Sequence, residues 1–159
     1  MYRHIDTRSG NATGDSRRTR ENVKEPGKLQ VVTEESGQSK QTILLIDDDE
    51  LGTNARQQIL EMQGYCVLVA PTAERGLHVL STTDVDLLIV DYQLPDISGV
   101  DLLTRLRGIK LHVPIILLSG RIFLPEDATV QADGFFKKGE GTRKLVETVK
   151  RLLTQSRKL

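Results

Sequence analysis

Residues 42–49 read Thr-Ile-Leu-Leu-Ile-Asp-Asp-Asp, a short apolar run that stops on carboxylates. Such a run, bounded by polar residues, is typical of a strand buried in a parallel sheet. Three later runs have the same form: Leu87–Val90 stops on Asp91, Ile115–Leu118 on Ser119, and Phe135–Phe136 on Lys137 and Lys138. Because ligands bind beyond the carboxyl ends of strands in open α/β sheets, these side chains predict one site. Its parts suit a divalent cation beside a phosphoryl group.

Helical periodicity separates the runs. Residues 50–63 place Leu51, Ala55, Ile59 and Met62 at helical spacing, with Asp49 near the N-cap and Gly64 after the end. The pattern then predicts further strands over Tyr65–Ala70, Val113–Leu118 and Phe135–Lys137. It predicts helices over Thr72–Leu80 and through Leu102 to Ile109, a short helix from Pro125, and a last helix capped by Thr142.

Five consecutive strand–helix units predict an α/β fold, a doubly wound parallel sheet with right-handed crossovers and helices on both faces. We expect the flavodoxin-like strand order 2-1-3-4-5. Its switch point lies between strands 1 and 3, which end in Asp47, Asp48 and Asp91.

The first 41 residues differ in composition from the rest. They hold only eight apolar side chains, and such a stretch cannot bury enough surface to offset the entropy of ordering it. We therefore predict a disordered N-terminal arm over residues 1–41 and a folded domain over residues 42–159. The arm carries 8 basic and 6 acidic residues and the domain 14 and 16, so neither part demands a nucleic acid or a membrane as partner.

The chain shows no secretory signal and no apolar stretch long enough for a membrane span, which favours a cytoplasmic location. Cys66 is the only cysteine, so an intrachain disulfide is impossible. In a predicted strand it is expected to act as a small inert hydrophobe.

The predicted edge of the sheet has a definite chemistry. Crowded carboxylates repel one another, and oxygen ligands suit a hard cation, so we expect Mg²⁺ held by Asp47, Asp48 and Asp91. Asp91 is the candidate nucleophile, because it ends the central strand and precedes a turn. The Ser119 hydroxyl and a lysine ammonium could bind phosphoryl oxygens.

The ordered set of motifs closely resembles bacterial response-regulator receiver domains. It consists of Ile-Asp47-Asp48-Asp49, Asp91-Tyr-Gln-Leu-Pro95-Asp-Ile-Ser-Gly99, Pro114-Ile-Ile-Leu-Leu-Ser119-Gly120 and Gly134-Phe-Phe-Lys-Lys138. Each motif alone is weak evidence. The resemblance spans residues 42–157 in the correct order and spacing.

The resemblance implies a role for each matching residue. Asp91 would accept a phosphoryl group from a histidine kinase or phosphotransfer protein, with Asp47, Asp48 and the backbone carbonyl of Gln93 on Mg²⁺. Ser119 and Lys138 would bind phosphoryl oxygens. Ser119 would couple to an aromatic switch residue at Phe135, and the side chains of Gln93 and Arg121 would tune the lifetime of the phosphoryl group.

The sequence departs from this family at two places. Gly139 follows the lysine where proline is usual, so we expect the loop to rely on the conformational freedom of glycine. The segment between Ser119 and Lys138 is short and predicts a truncated fourth helix, on the face that commonly contacts partners. In addition, either Lys137 or Lys138 could be the phosphate partner; strand alternation favours Lys138.

Three functions compete. The favoured one is a stand-alone phosphoacceptor, not an enzyme beyond its self-catalysed phosphorylation and dephosphorylation, that signals through an unknown downstream protein or by onward phosphotransfer. The second is a receiver-like binding module that is never phosphorylated. The third is a hydrolase with an aspartyl-phosphate intermediate, which is disfavoured because Asp91-Tyr92-Gln93 lacks the second carboxylate typical of such phosphatases.

Overall fold

The computed structural model describes residues 40–110, 112–121 and 124–156. Strands and helices alternate along this part of the chain. They are β1 (Thr42–Ile46), α1 (Glu50–Met62), β2 (Cys66–Ala70), α2 (Ala73–Thr82), β3 (Leu87–Asp91), α3 (Gly99–Ile109), β4 (Ile115–Ser119), α4 (Glu126–Gln131), β5 (Gly134–Lys137) and α5 (Thr142–Ser156). The predicted N-terminal arm, except its last two residues, lies outside the described residues.

The five strands form one parallel sheet in the order β2-β1-β3-β4-β5, which confirms the predicted fold. Val90 pairs with Ile46 on one side and with Leu117 on the other. This register brings the carboxyl ends of β1, β3 and β4 level. The residues that follow these strands are thereby placed at one edge.

Alternate residues of each strand pack into two cores, one on each face of the sheet. Leu44 and Ile46 of β1 face α2, α3 and α4, whereas Ile43 and Leu45 face α1 and α5. All four are completely buried. Burial on both faces explains why the strands are continuous apolar runs.

Helix α1 does not pack its most apolar stripe against the sheet. Leu51 and Met62 are 84% and 82% exposed, and the buried residues are Thr53, Arg56 and Leu60. Helical spacing of apolar residues alone would place Leu51 and Met62 on the inner face. The N-terminal half of α1 instead lies over the acidic edge, where a buried arginine pairs with a carboxylate.

Side-chain caps begin three of the helices. Asp49 accepts a hydrogen bond from the backbone N–H of Gly52, and Thr72 and Ser98 cap α2 and α3 in the same way. Gly64, after α1, has a φ of +92°. Thr142 is the first helical residue of α5.

Cys66 begins β2, one residue later than predicted, and it is exposed. The expectation of a core hydrophobe is therefore wrong. The side chain lies at the first position of an edge strand, in which only Val67 and Ala70 are buried.

Helix α4 is short, as predicted, with six residues and Ala128 as its one buried residue. Arg107 of α3 holds its end: the guanidinium donates to the Gln131 carbonyl, with Nε at 3.0 Å, and to Asp133 Oδ2 at 2.6 Å. No helix in the described part of the chain is long and apolar enough to cross a bilayer.

The contrast between Leu44 and Leu51 gives a test of the packing. Leu44→Ala should lower the free energy of unfolding by about 2–5 kcal/mol, because it opens a cavity in a close-packed core. Leu51→Ala, the same change at an exposed position, should alter it by roughly 0.5 kcal/mol or less. Urea unfolding measures both; equal losses would contradict the orientation of α1.

Candidate functional site

Three carboxylates meet at the edge where β1 and β3 end. Asp47 and Asp48 directly follow β1, and Asp91 is the last residue of β3. One carboxylate oxygen from each lies within 4.8 Å of the others. Asp47 and Asp91 are buried, at 2% and 3% exposure, whereas Asp48 faces solvent. The site is thus a buried acidic floor with one exposed acid at its rim.

Asp47 is held by donors on both of its oxygens. Its Oδ1 accepts hydrogen bonds from the backbone N–H of Asp49 at 3.0 Å and from Lys138 Nζ at 3.1 Å. Its Oδ2 accepts from Arg56 Nη2 of α1. These partners compensate a carboxylate that would otherwise be costly to bury.

Asp91 has fewer partners. Its Oδ1 accepts from the backbone N–H of Gln93 at 3.0 Å, and its Oδ2 accepts from Lys138 Nζ at 2.6 Å. Burial raises the pKa of Asp91, against the hydrogen bonds of Lys138 and Gln93, and the charge of Asp47 raises it further. The folded protein therefore holds a proton on Asp91 more tightly than a solvent-exposed aspartate would.

Lys138 bridges the two buried acids. Its backbone N–H donates to the Ser119 carbonyl at 2.8 Å, which fixes the end of β5 against the end of β4. Burial opposes the charge of Lys138, but hydrogen bonds and attraction from Asp91 and Asp47 outweigh it and raise the pKa. Of the two adjacent lysines, Lys138 is the one whose ammonium lies in the site, while Lys137 is exposed.

Gly139 has a φ of +91°, in the left-handed region that favours glycine. The turn after Lys138 therefore uses glycine freedom, as predicted.

Ser119, the last residue of β4, is buried at the same edge. Its Oγ accepts a hydrogen bond from the backbone N–H of Arg121 at 2.9 Å. Beside it lies a cavity of about 280 Å³, whose lining includes Leu117, Ser119 and Phe135. Phe135 is 42% exposed, so this aromatic residue is partly outside the core. The side chains of Gln93 and Arg121 are exposed.

The donor set fits a hard divalent cation. The three clustered side chains all offer carboxylate oxygens, the type of ligand that Mg²⁺ and Ca²⁺ prefer over nitrogen or sulfur. Asp48 is exposed, so it could bind an ion while the two buried acids keep their present partners. The carbonyl of Gln93 stays a predicted ligand.

Arg56 is the site residue that sequence reasoning missed. It lies on the buried stripe of α1 with Thr53 and Leu60, at spacings of three and four residues. A charged residue on a stripe that ends in a core leucine indicates a buried partner. That pattern was hidden because the more apolar stripe of Leu51 and Met62 suggested another face.

Comparison with known proteins gives a consistent family. The family model described as "Response regulator receiver domain" matches residues 43–150. Among curated relatives, the cell cycle transcriptional regulator CtrA of Caulobacter vibrioides is 37% identical over 78 residues, covering 49% of this chain and 34% of that protein. The response regulator SaeR of Staphylococcus aureus is 28% identical over 119 residues, covering 73% of this chain and 52% of that protein. The chain thus spans about a third to a half of these relatives.

Solved structures agree in fold. A CheY-like response regulator receiver domain from Methanospirillum hungatei is 30% identical, with a TM-score of 0.70, covering 76% of this chain and 98% of that chain. The response regulator TrrA of Thermotoga maritima, in complex with Mg²⁺-BeF, is 28% identical, with a TM-score of 0.66. The match covers 70% of this chain and 98% of that chain.

The raised pKa of Asp91 predicts a gain in stability on removing its charge. A raised folded-state pKa means that the folded state holds the proton more tightly, so stability is lost as pH rises through that pKa. Without divalent ions at pH 7, Asp91→Asn should melt a few degrees higher than the unmodified chain. The difference should shrink as pH falls toward 3.8, the ordinary pKa of an aspartate.

Thermal melts across this pH range measure the effect, with Asp84→Asn, whose side chain is fully exposed, as the control. A lower melting temperature for Asp91→Asn at pH 7 would contradict the assignment.

Proposed function

Since the chain belongs to the response regulator receiver domain family, we propose that it accepts a phosphoryl group on Asp91 in a reaction that requires Mg²⁺. One observation carries the proposal: Lys138 Nζ lies 2.6 Å from Asp91 and 3.1 Å from Asp47, within a cluster of three carboxylates. A nucleophile, a metal-binding set and a phosphate-binding cation therefore share one edge of the sheet.

The reaction is a phosphoryl transfer between two acceptors. An oxygen of Asp91 attacks phosphorus as the bond from phosphorus to the donor breaks, and the donor leaves with the electron pair of that bond. The product is an acyl phosphate on Asp91, which attack by water returns to the carboxylate and inorganic phosphate. The backbone N–H of Gln93 holds the carboxylate in orientation throughout.

Two groups already at the edge serve the phosphoryl oxygens. In the acyl phosphate, the carboxyl oxygens of Asp91 no longer carry the negative charge and the phosphoryl oxygens do. Lys138 can therefore turn from Asp91 Oδ2 to a phosphoryl oxygen and stay paired with Asp47. The hydroxyl of Ser119, whose oxygen is fixed by the Arg121 N–H, can donate its hydrogen to another phosphoryl oxygen.

Asp48, Asp47 and Asp91 would hold the divalent ion. When bound, Mg²⁺ supplies positive charge that offsets the repulsion between the carboxylates and the phosphoryl group. Two observations support this assignment. The similar structure of TrrA is a complex with Mg²⁺-BeF. The three side chains here offer only oxygen ligands, which Mg²⁺ prefers.

The phosphoryl donor is proposed to be a histidine kinase or a histidine phosphotransfer protein. Leu51 supports a protein donor: it lies in the first turn of α1, close in sequence to Asp48 and Asp49, and it is 84% exposed. An exposed leucine beside a buried acidic site gives a partner an apolar contact next to the reacting group.

Output is proposed to follow from movement of Phe135. Its ring lines the cavity beside Ser119 and is partly exposed, so drawing the Ser119 hydroxyl toward a phosphoryl group would change the space available to the ring. Phosphorylation would then shift an existing equilibrium between two ring positions.

Labelling with acetyl phosphate and Mg²⁺ tests the acceptor. Intact-mass analysis should show one phosphoryl group on the unmodified chain and on Asp84→Asn, whose aspartate is exposed, but none on Asp91→Asn. Chelation with EDTA should abolish labelling. Equal labelling of Asp91→Asn and the unmodified chain would contradict the assignment of Asp91 as acceptor. Absence of labelling on the unmodified chain would favour a non-phosphorylated binding module. Steady hydrolysis of phosphomonoesters would favour a hydrolase.

The adjacent lysines offer a matched pair of variants. Lys138→Ala should slow labelling by about tenfold or more, because a charge-assisted hydrogen bond worth about 1.5–3 kcal/mol is lost in the transition state. Lys137→Ala removes the same group from an exposed neighbour and should leave the rate nearly unchanged. Initial labelling rates distinguish them; a larger loss for Lys137→Ala would assign the phosphate contact to Lys137.

A further inference from the structure

Arg56 is a buried cation of the acidic edge for which the proposed phosphoryl transfer has no use. The residue is 8% exposed, and its Nη2 donates to Oδ2 of Asp47. A second acid, Asp49, lies 4.0 Å from the same nitrogen. Within the described residues, Arg56 Nε has no hydrogen-bond partner. A buried guanidinium with an unpaired N–H is costly, so its pairing with Asp47 must offset that cost.

The contacts of Asp47 determine how an ion can reach it. A carboxylate oxygen offers about two acceptor positions, and Oδ1 already accepts from Asp49 N–H and Lys138 Nζ. Oδ2 accepts from Arg56, which leaves one position on that oxygen. An ion that binds Asp47 without displacing Lys138 must therefore share Oδ2 with the guanidinium.

Gly52 makes room for this guanidinium. It lies one helical turn before Arg56, and a Cβ atom placed on it would come within 2.8 and 2.9 Å of Arg56 Nη2 and Nη1. The same Cβ would lie 2.3 Å from Asp49 Oδ2. A side chain at residue 52 would thus force the guanidinium away from its present position.

We propose that Arg56 sets the affinity of the acidic site for Mg²⁺. Its positive charge compensates the negative charge of Asp47 while the ion is absent, and it repels the ion when the ion binds. The inference rests on the proposed function, since it takes the three aspartates to be the ion's ligands. Arg56 is a positioning and charge-compensating residue that touches Asp47 alone among the three.

Two effects of Arg56 on Mg²⁺ binding have opposite signs. The guanidinium orients Asp47, which favours binding, and it repels the ion, which disfavours binding. Orientation does not depend on Arg56 alone, because Asp49 N–H and Lys138 also hold Asp47. The repulsion by Arg56 adds to that of Lys138 and has no counterpart that replaces it: even at the dielectric of water, a unit charge about 6 Å from a divalent ion lowers its affinity by about tenfold. Repulsion therefore dominates.

The test measures the Kd of Mg²⁺ by calorimetric titration of the full chain with MgCl₂. Arg56→Met keeps the aliphatic volume and removes the charge, and it should lower the Kd by about tenfold, which is about 1.4 kcal/mol. Arg56→Lys keeps the charge and should leave the Kd close to that of the unmodified chain. Arg151→Met, the same change at an exposed position of α5, is the control.

Gly52→Ala keeps the charge of Arg56 but displaces it, and should also tighten binding. This variant decides the matter if Arg56→Met does not fold. As a second measurement, saturating MgCl₂ should raise the melting temperature of Arg56→Met or Gly52→Ala by more than that of the unmodified chain. If the role of Arg56 is purely structural, both variants should melt at lower temperatures than the unmodified chain. The rise in melting temperature caused by MgCl₂ should then be the same in all three proteins.

The outcomes separate this inference from the function on which it rests. If the unmodified chain binds no Mg²⁺ at millimolar concentrations, the metal part of the proposed function fails. Suppose instead that the unmodified chain binds Mg²⁺ but the Kd in Arg56→Met is unchanged or higher. Then only the proposed role of Arg56 is overturned. Where Arg56→Met does not fold, the same result in Gly52→Ala overturns it.

Discussion

The burial of two aspartates side by side is the constraint around which the rest of this edge is arranged. Asp47 and Asp91 are almost inaccessible to water, and two such charges would repel each other strongly in a medium of low dielectric. Lys138 contacts both acids, and Arg56 contacts one. Asp91 contacts only one cation among the described residues, and its burial raises its pKa. The uneven distribution of positive charge thus leaves the proposed nucleophile as the less satisfied acid.

The sheet explains how residues far apart in sequence come to share these charges. Asp47 and Lys138 are 91 positions apart, yet parallel pairing of β1, β3, β4 and β5 carries them to one edge. Backbone contacts complete the placement, because Lys138 N–H bonds the Ser119 carbonyl and Gln93 N–H bonds Asp91. The site is therefore built mainly on strand ends, whose positions the two apolar cores fix.

Much of this arrangement follows from the sequence, and the failures have a common origin. The continuous apolar runs predict buried parallel strands, and the polar residues that end them predict the shared edge, because both depend on local patterns. The orientation of α1 depends instead on a contact between Arg56 and Asp47, which periodicity cannot show. Leu51 and Met62 look like core residues by spacing, and Cys66 by type, but tertiary contacts place all three outside.

The few buried contacts of α4 determine where the domain can unfold locally. Six residues with a single buried alanine give this helix little burial of its own, and its end is fastened by the polar contacts of Arg107. Such a segment can open with a small fraction of the global unfolding free energy, leaving the sheet intact. Helix α4 is thus loosely attached to the sheet, so a binding partner can reshape it without straining the strands beneath.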